Sequence, residues 1–97
     1  MTKRFDWNKK KNQQLKNERN ISFEEIIYAI EREGPIDIFP HSDQKKYPNQ
    51  SLYEVNIRDY IYLVPFVRQE DLIFLKTIIP SRKTTRNYLK KGAYREV

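Results

Sequence analysis

The apolar positions of this chain change period along its length, and each change marks an element. Phe23, Ile26, Ile27 and Ile30 recur at i, i+3, i+4 and i+7, which lines them along one face of a helix. Ser22 precedes this run and Glu25 follows it by three, the spacing of a capping box. Ile21 and Ile26 flank the cap as a hydrophobic staple. Gly34 offers a left-handed stop and Pro35 cannot continue a helix, so the spacing predicts a helix from Phe23 to Glu33. Upstream, Phe5 and Trp7 alternate with polar residues and suit a short extended segment. Asn8 then reads as the N-cap of a polar helix from Lys9 to Glu18, with Leu15 as its one large apolar residue.

Downstream of Pro35 the pattern shifts to strands. Ile36 to Phe39 reads as a short strand ended by Pro40, and His41 to Gln50 as a polar loop. From Leu52 to Ile57 the chain alternates, with Tyr53, Val55 and Ile57 opposite Glu54 and Asn56. Arg58-Asp59 is a turn, and the mostly apolar run from Tyr60 to Val67 is a central strand. Pro65 has no N–H, so it costs this strand a ladder bond or marks a bulge. A turn over Arg68 to Asp71 leads to a strand from Leu72 to Ile79. Pro80 ends it, Ser81 caps a helix from Arg82 to Lys91, and Gly92 closes that helix. With only Tyr88 and Leu89 as sizeable apolar residues, this last helix is too polar for a core. The expected fold is a single α+β domain over residues 1–97. Two N-terminal helices pack on one face of a three- to four-stranded antiparallel sheet, and a short basic helix follows at the C-terminus.

Composition narrows the function. A chain of 97 residues has room for one shallow site rather than a deep cofactor pocket. With no cysteine and one histidine, neither a thiolate nor a His-rich metal site is expected, and no cofactor is. Residues 1–20 lack the apolar segment of a signal peptide, and the longest apolar run, Ile61 to Val67, is too short for a bilayer. The expected setting is a reducing cytoplasm, away from membranes.

The net charge of +6 is unevenly spread. Residues 1–19 carry seven Lys/Arg and two acids, residues 20–75 five and ten, and residues 76–97 seven and one. Two basic ends thus flank an acidic middle. Arg82, Lys83, Arg86, Lys90 and Lys91 form an acid-free block, in which like charges repel unless an anion is nearby. Lysines 9 to 11 fit either an anion-binding surface or an ordinary solvated helix face.

No Gly-rich phosphate loop is present, and nothing in the spacing joins His41 to a serine and an acid. Basic and aromatic chemistry remains. Cleavage of RNA by its own 2′-hydroxyl needs a proton acceptor, cations for the pentacovalent phosphate and a donor for the leaving oxygen, all within reach of Lys, Arg, His and Tyr. Arg82 and Lys76 are candidates for the phosphate and His41 for proton transfer, with Lys83, Arg86, Tyr47 and Trp7 as substrate contacts. Each has a simpler alternative. Lys76 can snorkel from an apolar strand, His41 can bond locally, Tyr47 can pack its loop and Trp7 can join the core.

The opening, Phe5-Asp6-Trp7-Asn8 with Lys9 and Asn12 and then Ile21-Ser22-Phe23-Glu24-Glu25, resembles that of BrnT-type toxins of bacterial type II toxin–antitoxin systems. So does the junction Lys76-Thr77-Ile78-Ile79-Pro80-Ser81-Arg82-Lys83-Thr84-Thr85, and the two stretches together frame roughly 85 residues in order. Asn20 stands where that family has glycine, and Pro80 is extra at the junction. The resemblance implies a RelE-like fold and a metal-independent ribonuclease that blocks translation. It also implies a cognate antitoxin from an adjacent gene and operator DNA bound through the antitoxin complex. It carries the family's arginine onto Arg82.

Overall fold

The computed structural model describes residues 4–95, with side chains as far as residue 90. In chain order the elements are β1 (Arg4–Trp7), α1 (Lys9–Arg19), α2 (Phe23–Glu33), β2 (Asp37–Pro40), β3 (Gln50–Ile57), β4 (Tyr60–Gln69), β5 (Leu72–Leu75), β6 (Ile79–Pro80) and α3 (Arg82–Arg95). The class is α+β, as the pattern predicts. The sheet, however, has six strands in the order β1-β5-β4-β3-β2, with β6 also on β4. The extra width comes from two places. The Phe5/Trp7 segment pairs parallel to β5, from Arg4 opposite Leu72 to Trp7 opposite Leu75. The strand expected over Leu72 to Ile79 is split in two.

The helix caps form as their residues dictate. Asn8 Oδ1 accepts the Lys11 N–H at 2.9 Å and Ser22 Oγ accepts that of Glu25 at 3.2 Å. α1 ends at Asn20 with φ 54°, a left-handed position that favours glycine and tolerates asparagine next best. Asn20 is thus among the few non-glycine residues suited to this position. Asn12, only 5% exposed, joins the two helices. Its Oδ1 accepts the Phe23 N–H and its Nδ2 donates to Glu24 Oε1, both at 2.8 Å. One otherwise orphaned N–H of the first turn of α2 is thereby satisfied inside the protein.

The Asn12 bond holds the Glu24 carboxyl below its ordinary range, and Lys16 adds to this while burial opposes it. A group depressed in the folded state stabilises above its usual range and loses that contribution as pH falls through the lowered value. Acidification from about pH 7 to about pH 3 should therefore lower the urea midpoint more in wild type than in Glu24→Gln. Equal drops would place the acid sensitivity elsewhere.

Leu15, Ile21, Phe23 and Ile26 from the helical layer meet Tyr53, Val55, Val64, Phe66, Ile73, Leu75 and Ile78 on one sheet face. Tyr53 stacks on Phe66 with ring centroids 4.1 Å apart, and burial pushes its hydroxyl pKa up, so it stays neutral. β3 and β4 join through Arg58 and Asp59, both at positive φ (52° and 65°), the two-residue turn whose twist suits a hairpin. The following turn is tighter than its sequence suggests, because β4 runs on to Gln69.

Phe66 lies opposite Leu75 but Leu63 lies opposite Ile79, so three steps on β4 meet four on its partner. That extra residue is a β-bulge. Its cause is Pro65, whose carbonyl accepts the Lys76 N–H at 2.8 Å. A residue's N–H and carbonyl leave a strand on the same side, so the bond Pro65 cannot make is missing at the bulge itself. The bulge turns Ile78 into the core, fully buried beside Ile73 and Leu75. Unbroken alternation from Leu72 would put Ile78 on the side of Lys76; the bulge puts it with Ile73 and Leu75 instead. Arg19 of α1 donates to the Ile78 carbonyl at 2.7 Å. α3 runs past Gly92 to Arg95, since a solvated helix absorbs an internal glycine for about 1 kcal/mol. Among the described residues no helix is long and apolar enough to cross a membrane.

Candidate nucleic-acid interface

α3 follows β6 and starts beside β4. The Ser81 N–H donates to the Ile61 carbonyl at 3.0 Å. The Ile61 N–H donates to Thr85 Oγ1 at 2.8 Å, and that hydroxyl donates to the Ser81 carbonyl at 2.7 Å. Ser81 Oγ accepts the Thr84 N–H at 3.3 Å as the cap. Thr85 is 7% exposed, and its hydroxyl satisfies the buried Ile61 N–H. One turn on, Tyr88 Oη accepts from Asn56 Nδ2 at 3.3 Å. Thr85 and Tyr88, three apart, define the face of α3 that is tied to the sheet.

The charges lie on the rest of the helix. Arg82, Lys83, Arg86 and Lys90 are exposed, and none of them forms an ion pair among the described residues. Arg82, Arg86 and Lys90 follow at i, i+4 and i+8, about 6 Å of rise apart. α3 contains no acidic residue. An anchored helix with a row of unpaired cations is pre-organised to hold a polyanion. Arg19, through the Ile78 carbonyl, places one cation from the end of α1 beside the segment leading into α3.

The other predicted site residues lie elsewhere. Lys76 is exposed at the bulge, with Nζ 5.4 Å from the Phe74 ring centroid, the snorkelling arrangement. His41 lies at the far end of the sheet, where its N–H donates to the Gln50 carbonyl at 2.9 Å. Its Nδ1 accepts the Asp43 N–H at 3.0 Å and its ring lies 4.4 Å from that of Tyr47. Gln50 is opposite Val67, whereas α3 starts beside Ile61, so His41 and Arg82 are about 20 Å apart along β4. The expected convergence of His41 with Arg82 on one phosphate is therefore not what the sheet places together. Tyr47 packs its loop, and half-buried Trp7 packs on Phe23 at 6.0 Å, so neither offers a free base platform.

A pair that the pattern did not single out stands closer. Tyr60 and Tyr62 lie side by side on β4 with ring centroids 5.3 Å apart, and Tyr62 is opposite Pro80 at the entry to α3. Their i, i+2 spacing was visible, but their place near the entry to α3 depends on the β4–β6 pairing. Among the described residues no His, Asp or Glu cluster could hold a metal ion. Comparison with protein-family models, curated proteins and solved structures returns no match, so no relative lends this chain a function.

Proposed function

We propose that this chain binds RNA along α3 and acts on it as the toxin of a type II toxin–antitoxin pair. The observation that carries the binding is the row of unpaired cations on a helix anchored through Thr85 and Tyr88. The cleavage step and the toxin role rest on the resemblance to BrnT-type toxins, and the α+β layering agrees with a RelE-like fold in class. In this reading Arg82 stabilises charge on the attacked phosphate. Lys83, Arg86 and Lys90 hold neighbouring phosphates, and Tyr60 offers a ring on which an unpaired base can stack. A cognate antitoxin from an adjacent gene restrains the activity, operator DNA is bound through that complex, and the work is done in the cytoplasm.

Induction of the chain alone in a bacterial host should halt growth, and Arg82→Ala should relieve the arrest. The purified protein should cleave single-stranded RNA in the presence of a chelator. Undisturbed growth with soluble, folded protein would sink the toxin reading. A second reading, a non-catalytic nucleic-acid-binding module, draws on the distance of His41 from α3. It predicts salt-dependent RNA binding with no cleavage in the same assay.

A further inference from the structure

We propose that the cleft between α2 and the tip of the β3–β4 hairpin docks an extended segment of a partner protein that carries a lysine or arginine side chain. The cleft shares Asn56 with the anchored face of α3, not with its exposed cationic row, and the proposal does not depend on what α3 binds.

The cleft has a volume of about 640 Å³ and is lined on one side by Tyr28, Arg32 and Glu33 and on the other by Asn56, Arg58 and Asp59. Its floor is an unpaired strand edge. β2 pairs with β3 only as far as Asp37 opposite Glu54, so Val55 to Ile57 have no strand beside them on that side. The Glu54 carbonyl faces β2, since it accepts the Ile36 N–H at 2.7 Å. Asn56 is two residues further along β3, so its backbone N–H and carbonyl point the same way, past the end of β2. A strand added there would meet the N–H and carbonyl of Asn56, the opening for β-augmentation.

Apolar groups border the same edge. Tyr28 on α2 is 61% exposed, Ile38 on β2 is 50% exposed, and Ile36 just before it is 42% exposed. The charges then select the sign of the ligand. Arg58 is paired with Glu25 at 3.2 Å, and Arg32 donates to Tyr28 Oη at 2.7 Å while lying 5.7 Å from its ring centroid. Glu33 and Asp59 make no ion pair among the described residues. Counted with Glu24 and Glu25, the lining holds four carboxylates against Arg32 and Arg58, a net negative surface that calls for a cationic side chain on the added strand and repels a polyanion.

The test is an amide-resolved NMR titration of the full chain with two synthetic capped hexapeptides, Thr-Val-Lys-Val-Lys-Thr and Thr-Val-Glu-Val-Glu-Thr. The basic peptide should shift the Tyr28, Glu33, Asn56, Ile57 and Asp59 amides saturably and leave Arg82 and Arg86 unmoved. Glu33→Gln with Asp59→Asn, both at exposed positions, should weaken this response about tenfold. Arg82→Glu with Arg86→Glu should bind the basic peptide as wild type does. No shifts at millimolar peptide, or an equal response to the acidic peptide at the cleft, would overturn the proposal. The same amides shifting when the protein alone is concentrated would assign the edge to a second copy of the chain instead.

Discussion

Reversing two charges on α3, Arg82→Glu with Arg86→Glu, should flatten the salt dependence of RNA binding and weaken binding at low salt by on the order of 100-fold. Four cations on phosphates give a log–log slope of about −2.8 for a single strand, roughly a 50-fold loss of affinity from 50 to 200 mM salt. With two contacts removed, the slope should fall to about −1.4. The low-salt loss follows from two charge-assisted contacts at about 1.5 kcal/mol each, and repulsion by the introduced carboxylates adds to it. Both residues are exposed and outside the Thr85 and Tyr88 contacts, so the thermal midpoint should not fall. Fluorescence anisotropy of a labelled single-stranded oligonucleotide over a salt series reads the slope. An unchanged slope in the doubly reversed protein would remove α3 as the RNA surface.

The other large effect concerns the fold that carries this helix. Phe23→Ala should cost about 3–5 kcal/mol, a large part of the total stability of a domain this size. Phe23 is fully buried at the N-terminus of α2, with Trp7 against its ring. Truncation leaves a cavity where α2 meets the sheet and removes the support that keeps Trp7 half-buried. Asn12 still takes the residue-23 N–H, so the loss is one of packing rather than of the cap. Phe23→Leu should cost less than about 1.5 kcal/mol, because it conserves most of the volume. Urea unfolding with a common m-value checks both. An alanine variant within 1 kcal/mol of wild type would mean that the helical layer is not held through this residue.

Much of the layout was legible because it rests on local chemistry. The Ser22 cap, the i, i+3, i+4, i+7 face of α2 and the alternation of β3 each depend on residues within one or two turns of chain, and the structure reproduces them. The cationic row was legible in the same way, since four charges at helical spacing in an acid-free block are a property of ten consecutive residues. Where a pattern implied a partner across space, it went only halfway. Phe5 and Trp7 announced an extended segment, but nothing local said that it would run parallel to β5. Pro65 announced a missing bond without saying which side of β4 it would fall on.

By itself, then, the sequence determined the α+β class, the helix starts at their N-caps, the central place of β4 and the basic character of the last helix. These follow from dihedral preference, periodicity and charge, which neighbouring residues decide among themselves. Only the tertiary structure decided the bulge that buries Ile78, the separation of His41 from Arg82, the approach of Tyr60 and Tyr62 to α3, and the open edge at Asn56. Each of these depends on which strand lies beside which and in what register. A register is chosen by the whole sheet at once, because a one-residue shift moves every following side chain to the other face.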